Sequence, residues 1–304
     1  MPAEVLGTIS AIFLLLLAGY AARRFGVLKP GDASVVNAII IYLTLPAFIF
    51  TALYGTRISG TQVLAPVIGL GGEIIVLGLA YLTARAMKLD RRTTGGLMLV
   101  AAFANTGFLG YPLTIAAFPG DRQALTTAVM FDQFGMAIPL YSIGIAVASV
   151  FGSKQLDLSG LVAFLKTPVF PVTIIALLVK NLPVPQPILA SLSYMGAATV
   201  PLAMISIGLA LTGGHLVSSI KPLIAVIVLK MAILPLLVYV GMTAAGASGT
   251  VLNVSVMQAA TPSAVMAGVI AGRYGNNGPF AASAVFATTI LSLVTIPLVL
   301  MLLR

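Results

Sequence analysis

The sequence predicts an all-α polytopic membrane protein. Ten transmembrane helices form two inverted five-helix repeats, with crossed broken helices in spans four and nine. Three observations carry this fold class. Of the 304 residues, 60% are hydrophobic and 8% charged, whereas a soluble domain carries about 25% charged residues. The apolar stretches are long enough for a hydrocarbon core that needs about 20 residues. Prolines recur between the two halves at a nearly constant offset. The composition also excludes several chemistries. There is no Cys, hence no disulfide or thiol catalysis, and one His rules out a His-based metal cluster. No phosphate-binding glycine loop or serine–histidine constellation is present. The net charge of +9 is read by its place in loops, not as a nucleic-acid footprint.

In chain order, the first span covers 5–22. Glu4 precedes it and Arg23 and Arg24 follow it, the reverse of the charge order of a cleaved signal. It is expected as a retained span with its N-terminus outside. The next spans are 33–54, 62–86, 95–118 and 124–150, then 160–180, 188–211, 221–244, 250–272 and 279–303. Loop charge agrees with this order. Arg23, Arg24, Lys29, Arg85, Lys88, Arg91, Arg92, Lys154, Lys166, Lys221 and Arg273 fall inside. Arg57, Arg122, Lys180 and Arg304 fall outside, and Lys230 lies within a span. Omitting one span would reverse every later loop, so the positive-inside bias supports ten.

The halves, 1–152 and 153–304, resemble each other. Leu45-Pro46 recurs as Val200-Pro201, Pro66 as Pro222, and Ile138-Pro139 as Ile296-Pro297, at offsets of 155, 156 and 158. Five spans per repeat is an odd number, so the second repeat enters from the opposite side. Inverted repeats with midplane interruptions mark secondary transporters.

The interruptions are legible. Asn105-Thr106-Gly107-Phe108-Leu109-Gly110-Tyr111-Pro112 breaks the fourth span. Gly weakens a helix, and Pro removes a donor and clashes with the preceding turn. An offset of 157 maps Asn105 onto Pro262 in Gln258-Ala259-Ala260-Thr261-Pro262-Ser263-Ala264, the middle of the ninth span. Freed backbone groups at bilayer depth must lie against protein or a watery cavity. Half-helix ends meeting there would favour ions. Asn105, Thr106, Gln258, Thr261 and Ser263 are the candidate hydrogen-bonding groups. The competing reading has the Thr and Ser back-bonded to their own helices.

Three ionisable residues lie within spans: Glu73, Asp132 (followed by Gln133) and Lys230. Each is expected to face protein or a cavity. Glu73 and Lys230 stand at matching places, offset 157. One reading makes them a buried ion pair that orders the bundle. The other gives Glu73 or Asp132 a coupling proton. Gly7, Gly19 and Gly208 suit helix contacts. Gly213-Gly214-His215 reads as a helix stop and loop, and Gly272 to Pro279 as a turn. The twelve Met residues read as packing.

Leu45-Pro46, Asn105-Thr106-Gly107 to Gly110-Tyr111-Pro112, and Thr261-Pro262-Ser263 resemble the auxin efflux carrier family across the whole chain. That family includes plant PIN-FORMED carriers and bacterial malonate-type permeases. The resemblance implies ten spans with both termini outside and two broken helices crossing at the substrate site. It implies a scaffold of spans 1, 2, 6 and 7 that dimerises, and an elevator-like transport domain of spans 3–5 and 8–10. Acidic and amide residues in spans three and five then support the crossover, matching Glu73, Asp132 and Gln133. Substrate contacts would come from Asn105, Thr106, Gly107, Gly110, Tyr111, Pro112, Gln258, Thr261, Pro262, Ser263 and Pro46. The connection from Gly152 to Ser159 is short, which favours a bacterial inner-membrane member over a plant auxin carrier. The expected activity is alternating-access transport of a small organic carboxylate anion, with no enzyme chemistry, cofactor, metal or nucleic acid. Proton coupling is the first expectation, with Asp132, Gln133, Glu73 and Lys230 as the coupling candidates. Sodium coupling of the bile-acid symporter type and a non-transporting membrane sensor of the same fold are the alternatives.

Overall fold

The computed structural model describes residues 3–29, 31–152, 159–210 and 220–303. The boundary of the two repeats after residue 152, Lys154, Gly213-Gly214-His215 and Arg304 lie outside the described residues. Helices make up nearly all of what is described, and no strand longer than one isolated bridge occurs among those residues. In order, the helices are α1 (Ala3–Arg24), α2 (Asp32–Leu53), α3 (Gly60–Ala86), α4 (Arg91–Ala102) and α5 (Tyr111–Ala117). Then come α6 (Arg122–Phe151), α7 (Ser159–Lys166), α8 (Val169–Val179), α9 (Gln186–Ala210) and α10 (Ile220–Ala244). The last three are α11 (Gly249–Ala260), α12 (Val265–Arg273) and α13 (Gly278–Leu302). Six of these, α2, α3, α6, α9, α10 and α13, are long and apolar enough to cross a membrane. The bent pair α7–α8 makes a seventh if taken as one span, with 48° between its parts.

The prolines explain most of the irregularities inside these helices. π-Helical turns occupy Ile40–Thr44, Thr106–Gly110, Gln133–Ala137 and Leu229–Ile233. Each ends two residues before a proline: Pro46, Pro112, Pro139 and Pro235. A proline ring clashes with the carbonyl four residues back and offers no N–H. Widening the preceding turn moves that carbonyl aside while the chain stays helical. A further π-turn, Leu140–Gly144, follows Pro139 directly.

The chain forms two compact units. One comprises Met1–Ser59, Gly107–Val129 and Val162–Thr212; the other comprises Gly60–Thr106, Met130–Leu161 and Gly213–Arg304. Both draw on each half of the sequence. In the first unit α1 and α9 cross through glycines. A Cβ added at Gly19 would stand 2.3 Å from Ile205 O, and one at Gly208 would stand 2.1 Å from Leu16 O. Gly7, by contrast, meets nothing within 4 Å. Lipid tails are as apolar as Leu, so close packing of this kind holds membrane helices together better than apolar burial does.

In the second unit the core is made by α3, α4, α6, α10, α11 and α13, with Val76, Leu97, Phe103, Phe131 and Val226 buried within it. Several buried hydroxyls are satisfied by their own helices, as with Ser149 to Ile145 O and Ser255 to Val251 O. The turn between α12 and α13 locks onto its surroundings. Asn276 Nδ2 donates to Ala148 O at 2.9 Å, and Asn277 N donates to Arg92 O at 3.1 Å.

Candidate functional site

The site begins where α4 stops. Asp90 caps its N-terminus, accepting from Arg92 N and Thr93 N at 3.0 Å each. The helix ends at Ala102, and Phe103 turns extended with ψ 128°. Helical geometry resumes only at Thr106, as a π-turn that leads through Gly107 and Gly110 into α5. The other interruption follows α11. Thr261 is extended with ψ 153°, the region favoured before a proline. Ala264 is extended as well, and α12 starts at Val265.

The two unwound segments pair with each other. Asn105 N donates to Pro262 O at 2.8 Å, and Ala264 N donates to Phe103 O at 2.9 Å. They form an antiparallel bridge between Ala104 and Ser263. Each break thus satisfies the backbone groups that the other exposes, as buried polar groups at that depth require. Side chains complete the joint. Ser263 Oγ donates to Val100 O at 2.6 Å, so the second break caps the last turn of α4. Ser263 N donates to Thr288 Oγ1 at 3.2 Å. Thr261 Oγ1 donates to Gln258 O at 2.8 Å. Lys230 Nζ, fully buried, donates to Ala259 O at 2.6 Å. That places an ammonium on the C-terminal carbonyls of α11, the negative end of its dipole.

The other buried candidate side chains of this unit lie around this joint or deeper in the same core. Asn105 is 5% exposed, and its Nδ2 has no hydrogen-bond partner. Thr106 Oγ1 donates to Asp132 Oδ1, and Gln133 Nε2 donates to Asp132 Oδ2 at 2.7 Å. Tyr141, nine residues further along α6, feels the Asp132 charge. Glu73 on α3 is 2% exposed, and its Oε2 has no hydrogen-bond partner. Glu73 and Lys230 act on each other through space, yet the hydrogen bond from Lys230 goes to Ala259. Gln258 is fully buried at the end of α11.

Ten of the sequence-derived residues thus share the second unit: Asn105, Thr106, Gln258, Thr261, Pro262, Ser263, Asp132, Gln133, Glu73 and Lys230. Pro46, Gly107, Gly110, Tyr111 and Pro112 belong to the first. There Tyr111 is fully buried against Phe48, with ring centroids 5.1 Å apart. Pro46 and Pro112 each follow a π-helical turn that makes room for the ring. Sequence reasoning passed over Thr288, Tyr141 and the carbonyls of Val100 and Ala259. Thr288 had a signal, the hydroxyl row Thr288-Thr289 and Ser292 inside an apolar span.

An all-helical chain with six apolar helices of membrane length and two buried, mutually paired breaks is an integral membrane protein. It matches the family described as "Membrane transport protein" over residues 4–152 and 155–300, and it belongs to that family, the auxin efflux carriers. It is 34% identical over 300 residues to an uncharacterized transporter of Methanothermobacter thermautotrophicus, covering 96% of each chain. It is 32% identical over 297 residues to another from Methanocaldococcus jannaschii, covering 94% of this chain and 95% of the other. It is 26% identical over 314 residues to a Rhizobium meliloti protein provisionally named a malonate transporter, covering 99% and 97%.

Proposed function

We propose that the chain is a secondary carrier for a small organic carboxylate anion, working by alternating access. In this reading it crosses the membrane ten times as two inverted repeats, with both termini outside the cytoplasm. The short pairs α4–α5 and α11–α12 are the interrupted fourth and ninth crossings, and α7–α8 is the sixth. One observation supports the anion site above the rest: the Asn105 carboxamide, buried beside the paired breaks with an unused donor. An unsatisfied buried donor costs about 1–3 kcal/mol, and a carboxylate oxygen would remove that cost. Asp132, held one hydrogen bond from Thr106, is the preferred coupling group, with a proton as the coupling ion. The name of the Rhizobium relative puts malonate first among test substrates.

The test has two stages. Purified protein is heated with malonate, acetate and indole-3-acetate, because a ligand at 100 times its Kd stabilises by about 2.7 kcal/mol. Anions that bind are then offered to proteoliposomes under an imposed proton or sodium gradient. Uptake driven by the proton gradient is expected. Uptake driven only by sodium would replace the coupling ion, and binding without flux would make the protein a sensor. Absence of binding by any carboxylate would overturn the reading. Topology is checked separately on the cysteine-free background. Cysteine at Lys88 should be labelled only from the cytoplasm, and cysteine at Ser248 only from outside.

A further inference from the structure

The second unit has two polar clusters at its breaks, and only one of them has a side chain in common with the anion site. Lys230, Thr261 and Ser263 are committed to backbone carbonyls of Ala259, Gln258 and Val100. Thr106 is different. It follows Asn105 directly, it is 1% exposed, and its one hydroxyl hydrogen goes to a carboxylate, Asp132 Oδ1.

We propose that Thr106 is the positioning residue through which protonation of Asp132 admits an anion at Asn105; this rests on the carrier reading above. A hydroxyl has one hydrogen and two lone pairs. While Asp132 is ionised it accepts from Thr106 and from Gln133 Nε2, and its charge stands one hydrogen bond away from the residue next to Asn105. An anion arriving there finds the Thr106 hydrogen already used. When a proton from solution binds Asp132 at Oδ1, that oxygen becomes the donor. The hydrogen bond reverses, the new O–H points to Thr106 Oγ1, and the Thr106 hydrogen is released to turn toward a bound carboxylate. One proton is taken up, one hydrogen bond reverses and no covalent bond to carbon changes. The anion and the proton then bind and leave together, which is symport.

Asp132 is faced by Thr106, Gln133 and Tyr141. Gln133 and Tyr141 come from its own helix α6, and Thr106 from the break. Glu73 on α3 and Lys230 on α10 are the other buried acidic and basic residues among the described residues of the unit. They act on each other, and Lys230 is also tied to Ala259. Tyr141 donates no competing negative charge while its phenol is neutral. Asp132 is thus the group whose proton Thr106 can sense.

Thr106→Val keeps the shape and removes the hydroxyl, Thr106→Ser keeps the hydroxyl, and Thr106→Ala serves if Val does not fold. Affinity for malonate, acetate and indole-3-acetate is measured from alkaline to acid pH. In the wild type, affinity should rise as pH falls, approaching about tenfold per pH unit for one linked proton. Thr106→Val should flatten this to less than about twofold over the same range, and Thr106→Ser should restore it. A wild-type slope retained in Thr106→Val would overturn the proposal and leave Asp132 acting by charge alone. Infrared difference spectra without any anion give an independent arm. The protonated-carboxyl band missing from Asp132→Asn should titrate at a displaced pH in Thr106→Val. An undisplaced band would also overturn the proposal. If the band is displaced but no anion binds the wild type, the carrier reading is what fails.

Discussion

The two interruptions look alike in sequence and serve different ends. The one after α11 has its polar side chains committed to backbone: Lys230 on Ala259 O, Thr261 on Gln258 O, Ser263 on Val100 O. Thr261, Ser263 and Gln258 are fully buried, and both flanking helices lie in one compact unit. The one after α4 keeps an unused amide donor on Asn105 and ties Thr106 to a carboxylate instead of a carbonyl. The chain also passes from one unit to the other between Thr106 and Gly107. One break is a brace, and the other holds chemistry. Breaks that match in sequence position therefore need not have equal roles for the residues found there.

The sharpest way to break this contrast is Lys230→Met. It uncaps α11 and leaves Glu73 without its compensating charge, and removing one partner of a buried pair costs about 3–5 kcal/mol. Little folded protein is expected, and Glu73→Gln in the same chain should recover much of it, read by thermal melting. A brace that is truly only a brace gives no gain in affinity in the rescued double variant.

Next in size is Asn105→Ala, expected to weaken anion binding by about 1.5–3 kcal/mol with melting near wild type. Wild-type affinity in the purified variant would move the anion site elsewhere. Ser263→Ala sharpens the comparison from the other side. It removes one hydrogen bond to Val100 O, a loss of about 1 kcal/mol of stability, with anion affinity unchanged once the folded fraction is accounted for.

The smallest effect lies at the other end of α4. Asp90→Ala removes an N-cap, a loss of about 1 kcal/mol. The Thr93 hydroxyl, against an opposing desolvation and with help from the Thr93 and Arg92 amides, holds the Asp90 carboxyl below its ordinary value. A lowered folded-state pKa means that the cap contributes fully above the ordinary carboxylate range, near about pH 4. Its contribution fades as pH falls through the lowered value. Melting of wild type and variant should therefore converge in acid and separate toward neutrality.

Several of these features could be read without coordinates. Both breaks are spelled by Gly, Pro and amide residues in apolar runs, and the 157-residue offset aligned Asn105 with Pro262, the residue whose carbonyl its amide meets. The π-turns two residues ahead of Pro46, Pro112, Pro139 and Pro235 follow from ring sterics and were within reach of the same reasoning. The hydrogen-bond acceptor of Lys230, Ala259 O, was not. Matching depth paired Lys230 with Glu73, but depth along two helices does not say which way a long, flexible side chain turns.

Composition, the spacing of apolar runs and proline sterics by themselves determined a membrane-spanning helical chain and the places where its helices open. Those properties depend on neighbours along the chain and on the solvent, so one dimension suffices. Tertiary structure alone decided which opened groups are spent and which remain. Ser263 closes onto Val100 across 163 residues, Thr288 onto Ser263, and Lys230 onto Ala259. Hydrogen bonds of this kind need donor and acceptor within about 3 Å at the right angle, a condition that only the packing of distant helices can meet.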